Sequence, residues 1–270
     1  MTTATVMTTL SPADHRVTGP RVLRSETAKV WSLRSAKITV GLAMLFLVVF
    51  GWIFSGTYDP ASTNQGPVDY QDAIGISLVG ANFAQLVLGV FGVLIAAGEY
   101  GTGLIRSTFM AVPRRLPVLW SKAVVAGVCA LVVGTAGAFG AFLIGYGLLP
   151  DGVQLPLTAP GVLRCLFGAG MYLGLVAVFG VALGMLLRNV AGGITLLVAG
   201  LLLLPELANL LPRSWNTTIA PYLPGRAGGA VMILYPDPQS LSPGAGLAVF
   251  AAWVAVTLAA ATYRLKRTDA

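Results

Sequence analysis

Few side chains in this 270-residue chain are of a type and spacing that could do chemistry, and most of those lie between positions 99 and 115. Glu99 and Tyr100 are followed at short intervals by Gly103, Arg106, Phe109, Met110, Pro113, Arg114 and Arg115. Thr102 is placed to cap a short helix from Gly103 to Val112, which Pro113 would end. On that helix Leu104, Ile105, Thr108, Phe109 and Val112 share a face, while Arg106, Ser107 and Met110 point the other way. A short helix with one apolar and one basic face suits docking, one side on a larger body and the other on a soluble partner. Glu99, near its start, would interact favourably with the helix dipole.

A second group is a stripe. Gly75, Leu78, Asn82, Gln85, Gly89, Gly92 and Ala96 recur at steps of three and four, which puts them along one side of a helix. Carboxamides and glycines facing lipid would be costly, so this side must meet protein or water. It either packs closely on another helix or lines a substrate path or an interface between subunits. A third group is Pro205-Glu206 with Asn209 one turn later, where the proline bends the helix. Glu206 falls about 24 Å along a helix begun at 190, near the outer membrane boundary, where a carboxylate can reach water.

Several chemistries are excluded by what is missing. No G-x-x-x-x-G-K-[ST] loop is present, so nothing cradles a nucleotide in the P-loop manner. The one histidine, His15, cannot build an H-E-x-x-H metal site, and a histidine-based triad has no support elsewhere. No G-x-S-x-G elbow occurs. Cys129 and Cys165 lie in apolar runs and read as small hydrophobes. The expectation is a chain with no catalytic residue, no metal and no cofactor of its own.

The elements that must position these residues follow from composition. The chain is 56% hydrophobic and 10% charged, against roughly 25% charged for a soluble domain. So few charges cannot coat a water-soluble globule, and the fold class is an all-α polytopic membrane protein. Six stretches reach the roughly 20 apolar residues that a span needs: Ile38–Gly56, Gly75–Ala97, Ala123–Leu149, Val162–Leu187, Val190–Leu211 and Ala245–Tyr263. The fourth and fifth are separated only by Arg188-Asn189.

Orientation follows from the basic residues. Fourteen of the seventeen lie before the first span, between the second and third, between the fourth and fifth, and after the sixth. The other side holds only Arg164, Arg213 and Arg226, and its first loop, 58–73, carries Asp59, Asp69 and Asp72. Both termini are therefore expected in the cytoplasm. The net charge of +7 belongs to this asymmetry and to a lipid bilayer, not to nucleic acid. No signal peptide is evident. Residues 1–20 read as a disordered cytoplasmic tail and 21–36 as an interfacial amphipathic helix, with Val22, Leu23, Val30 and Leu33 on one arc that Glu26 interrupts. The remainder, 37–270, forms the six-helix transmembrane domain.

The segment after the second span resembles the first cytoplasmic loop of type-2 ABC exporter permeases, particularly the small actinobacterial type. Their pattern, similar to E-[YF]-x-x-G-x-x-R-x-x-[FL]-x-x-x-P-x-R, is matched by Glu99, Tyr100, Gly103, Arg106, Phe109, Pro113 and Arg115, with Lys122 opening the next span. Leu211-Pro212-x-x-Trp215, Tyr222-Leu223-Pro224-x-x-Ala227-Gly228 and Leu241-Ser242-Pro243 agree in order, as does Arg24-Ser25-Glu26-x-x-Lys29 with Leu33-Arg34-Ser35. The doubled Arg114-Arg115 departs from the pattern and leaves open which arginine faces a partner.

The resemblance implies the type-2 ABC exporter permease fold, with a coupling helix at about 102–112 and an extracellular helical segment at about 212–243. It implies a bacterial plasma-membrane subunit whose partners are two copies of a separate ATP-binding subunit, which hold the ATP and Mg, and a second permease that is either another copy or a paralogue. Its ATPase-coupling residues would be Glu99, Tyr100, Gly103, Arg106, Phe109, Met110, Pro113, Arg114 and Arg115. Asn82, Gln85, Gly89, Glu206 and Asn209 would lie on the substrate path or dimer interface. The expected cargo is hydrophobic or amphipathic: a drug, antibiotic, peptide or lipid. The alternatives are a membrane immunity or sensor-partner protein with no transport of its own, and an ion-coupled secondary carrier.

Overall fold

The computed structural model describes residues 18–58, 71–112, 114–150, 153–210, 212–236 and 240–267. Among these residues every regular element is helical, and six helical segments are long and apolar enough to cross a membrane. The all-α polytopic reading holds. Most of the expected tail, the acidic residues Asp59 and Asp69, and Pro113 lie outside the described residues.

Helix α1 (Gly19–Ser32) precedes the first span and buries Val22, Glu26 and Val30, one residue per turn. It ends four residues short of the expected boundary because Leu33 is extended (φ −81°, ψ 120°), so that α2 (Arg34–Gly56) starts a new axis. The second span is two helices, α3 (Gln71–Ser77) and α4 (Ala81–Gly101), joined through a turn at 78–80. Gly80 sits there against span 1, where an added Cβ would lie 2.7 Å from the Leu47 Cα. Only glycine admits that approach of two backbones.

After the short α5 (Leu104–Ala111), α6 (Leu116–Leu148) begins seven residues before the expected third span, with Pro117 in its first turn. Lys122 therefore lies inside the helix, not at its mouth.

Helix α7 (Val162–Leu187) is the centre of the bundle. In its most apolar window 72% of residues are buried, against 22–56% for the other spans. Its faces toward α4 and α6 are made of glycine. Gly92 lies against the Ala177 carbonyl, Gly180 against the Gly89 carbonyl, and Gly170 against Thr135, with no room for a Cβ at any of them. Lipid offers no hydrophobic drive for helices to associate, so such backbone contact supplies the attraction. Arg188, in a left-handed conformation (φ 56°), ends α7. The Asn189 carboxamide then caps α8 (Val190–Val198), accepting from the Gly192 N–H at 3.1 Å.

The fifth span does not merely bend at its proline. Between α8 and α9 (Leu204–Ala208) it widens to a π-turn over Ala199–Leu203, closed by the Leu204 N–H on the Ala199 carbonyl. Pro205 has no N–H for the Leu201 carbonyl, and a widened turn just before it absorbs the missing bond. Gly225 of α11 (Pro224–Gly229) packs on that carbonyl. Helix α10 (Arg213–Ile219) and a 3₁₀ turn precede α11, and another follows at Ala230–Met232. The last span, α12 (Pro243–Arg267), continues four residues past Tyr263 and ends in Arg264, Lys266 and Arg267.

Candidate functional site

The motif residues gather at the basic end of spans 2 and 3. Gly103 turns the chain from α4 into α5 with φ 74°, a conformation open to glycine at no steric cost. Thr102 does not cap α5 as expected. Its hydroxyl donates back to the Gly98 carbonyl at 3.1 Å, finishing α4. Helix α5 is accordingly shorter at both ends than the expected 102–112. Ile105 and Phe109 are buried against the bundle with Thr108 half-buried beside them, while Arg106 and Ser107 are exposed. Leu104, expected on the apolar side, is 59% exposed, because one helical step of about 100° carries it to the flank of the Ile105–Phe109 arc. Met110 is 77% exposed. The outward face thus combines two apolar side chains with a guanidinium.

The two arginines after α5 separate. Arg115 lies over the Phe109 ring at 5.3 Å from its centroid, and Arg114 is exposed. Tyr100 is half-buried, with the Arg188 guanidinium 5.4 Å from its ring centroid, which ties the end of span 2 to the end of span 4. Arg264 of span 6 donates to the Leu186 carbonyl, serving one of the C-terminal acceptors of α7.

Beneath α5 lies an ionic cluster that the sequence reading did not assemble. Lys122 is 1% exposed and Glu26 3% exposed, 2.7 Å apart. Lys122 also donates to Glu99 at 2.7 Å and to the Ile95 carbonyl at 3.2 Å, so each of its three N–H groups has an acceptor. Lys29 reaches Glu26 at 2.7 Å, Glu99 at 3.0 Å and the Thr108 hydroxyl at 3.5 Å. Two ammonium groups and two carboxylates balance, and together they join α1, α4, α5 and α6. Burial lowers the Lys29 pKa, but the hydrogen bonds and charges of Glu26 and Glu99 outweigh it, and the net shift is upward.

The cluster explains Glu26. It stands on the apolar arc of α1 because Lys122 is buried opposite it. Glu99 is likewise committed to the two lysines and not to the start of α5; its second oxygen, Oε2, is buried without a partner. The available signal was a conflict of pattern: a carboxylate on an apolar face, and a lysine within a run that proved helical.

At the opposite end the residues of the stripe part company. Asn82 is exposed and lines two cavities of about 510 and 370 Å³. Gln85 is buried and accepts a hydrogen bond from the Tyr172 hydroxyl of α7, at the inner limit of the smaller cavity. Gly89 is buried deeper, between the Leu197 side chain and Gly180. Glu206 is exposed and accepts from the Asn209 carboxamide at 3.1 Å.

Arg226 completes this group. It donates to Asn209, to the Asn216 Oδ1 at 3.2 Å and to the Pro205 carbonyl at 3.3 Å. Both cavities are lined by Asn82, Arg226, Gly229 and Met232, so a continuous cleft runs from α10 and α11 toward the π-turn. Sequence reasoning noted Arg226 only as a stray charge.

Among the described residues no group of three or more His, Cys, Asp or Glu side chains could hold a metal ion. No family model matches the chain, and no curated protein matches it.

Proposed function

We propose that this chain is the membrane-spanning subunit of an ATP-driven exporter of the type-2 ABC class, as the motif around Glu99 implies. The observation that supports this best is α5: a short helix anchored by Ile105 and Phe109, with Arg106, Met110 and Leu104 turned outward. Such a face is suited to a groove on a soluble ATPase. In this reading both termini are cytoplasmic, the membrane is a bacterial plasma membrane, and two ATPase subunits holding ATP and Mg dock on two permeases.

The ionic cluster supplies the mechanical continuity that this role needs. A rigid element transmits displacement only if it has fixed partners in each body it is to move. Lys29, Glu99 and Lys122 tie α5 to α1 and to the ends of spans 2 and 3. Displacement of α5 on nucleotide hydrolysis then shifts those spans together. At the far end the same span 2 carries Asn82 into the cleft beside the π-turn, where a hydrophobic or amphipathic cargo would pass.

The test is co-purification followed by ATPase assay. The chain is expected to bring down a soluble ATPase whose hydrolysis is stimulated by cargo, and Arg106→Glu is expected to reduce that stimulation at least tenfold while membrane insertion is unchanged, since reversing a charge at an interface costs on the order of 2 kcal/mol or more. Isolation without any ATPase would favour the non-transporting alternative. Full stimulation in Arg106→Glu would remove that residue from the contact.

A further inference from the structure

Span 6 packs on span 4 along its length but scarcely touches span 3. The gap is a groove in two overlapping parts, of about 670 and 650 Å³, both lined by Trp120, Leu175, Val178, Ala251 and Leu258. Its floor and walls are apolar, with the small residues Gly127, Gly174, Ala255 and Ala259 in the lining. One end differs from the other. Toward the termini of the chain the groove is bordered by Thr262, Tyr263 and Lys266, and at the opposite end by Gly244 and Leu247.

We infer that the half of this groove nearest Lys266 is a binding site for one anionic phospholipid of the adjoining leaflet, its acyl chain between spans 3, 4 and 6 and its phosphate at Lys266. Three observations select that occupant. Ala251 to Lys266 covers about 22 Å of helix, enough for the hydrocarbon of one leaflet, about 15 Å, and the start of the headgroup layer. Trp120, 51% exposed, and Tyr263, 57% exposed, stand at the same end, as aromatic side chains do at a membrane interface.

The charges are the third observation. Arg264 is committed to the Leu186 carbonyl, and Arg267 lies over the Tyr263 ring at 4.7 Å. Lys266 borders the groove and makes no ion pair among the described residues. A basic side chain at the mouth of an apolar inter-helix groove is the arrangement that recognises an anionic headgroup. This site lies apart from α5 and from the outer cleft, so it stands whether or not the chain is a transporter.

The full chain, with Trp120 as its single tryptophan and the other four replaced by phenylalanine, tests this in phosphatidylcholine vesicles. The probe is a phospholipid with brominated acyl chains, which quenches tryptophan on contact, carried on either a phosphatidylglycerol or a phosphatidylcholine headgroup. Quenching by the brominated phosphatidylglycerol is expected to half-saturate at a mole fraction about fivefold lower, the factor for one basic residue at the surface. Lys266→Gln should abolish that preference while leaving quenching by brominated phosphatidylcholine unchanged. Ala255→Leu, which narrows the groove without touching a polar group, should weaken quenching by both. Equal half-saturation for the two headgroups would overturn the proposal. So would protection of Trp120 from both, the sign that a second copy of the chain covers the groove.

Discussion

The residue that most constrains this molecule is Lys122, an ammonium group withdrawn from water between two carboxylates. A buried ion pair gains little over an apolar replacement, but loss of one partner leaves an uncompensated charge, at a cost of about 3–5 kcal/mol. Lys122→Met is therefore expected to lower stability by that amount. Combined with Glu26→Leu, the loss should be smaller than the sum of the two single losses, by about 0.5–3 kcal/mol. Cys165 is buried and Cys129 half-buried, so the rate of thiol labelling in detergent on heating measures each variant. Equal, additive losses would show that Lys122 and Glu26 act separately. This cluster was legible only in fragments. Glu26 stood out on an apolar arc, but a sequence pattern records that a residue breaks periodicity, not which residue 96 positions away answers it.

At the scale of elements, the sequence marked helices well and their joints poorly. Long apolar runs locate spans because lipid forces every backbone group into a helix. The break at 78–80 goes with a tertiary contact, Gly80 on span 1, which no local pattern encodes. Pro205 marked a bend in span 5 without marking the π-turn that absorbs it or the packing of Gly225 on the Leu201 carbonyl. The stripe on α4 shows the same limit. Its spacing placed Asn82, Gln85 and Gly89 on one side, but that side meets a cavity at Asn82, a tyrosine at Gln85 and the Leu197 side chain at Gly89. The α4–α7 seam makes the difference measurable. Gln85→Leu strips the Tyr172 hydroxyl of its acceptor and is expected to cost about 1–3 kcal/mol, largely recovered by adding Tyr172→Phe. Asn82→Leu, at an exposed position on the cleft, should stay within about 0.5 kcal/mol of wild type. If the proposed role holds, it should change cargo efflux in vesicles. Equal destabilisation by both substitutions would place Asn82 in the packing as well.

For the whole molecule, three spans separate α5 from α10, and that odd number of crossings requires the two to lie on opposite sides of the bilayer. In the proposed orientation, the fourteen-to-three asymmetry of the seventeen basic residues puts α5 on the cytoplasmic side. The packing agrees with one rigid unit across the membrane: α7 is buried along its length and contacts α4, α6 and α12, so neither end of the bundle can invert alone. Ser107 and Thr217 are exposed at the two ends and serve as reporters. With Cys129 and Cys165 replaced by alanine, Ser107→Cys is expected to react with a membrane-impermeant maleimide in inside-out vesicles only, and Thr217→Cys in right-side-out vesicles only. Reaction of both from one side would remove a span from the count. The reversed pattern would keep the fold but place α5 outside, where no cytosolic ATPase could reach it, and the proposed energy source would fall with it.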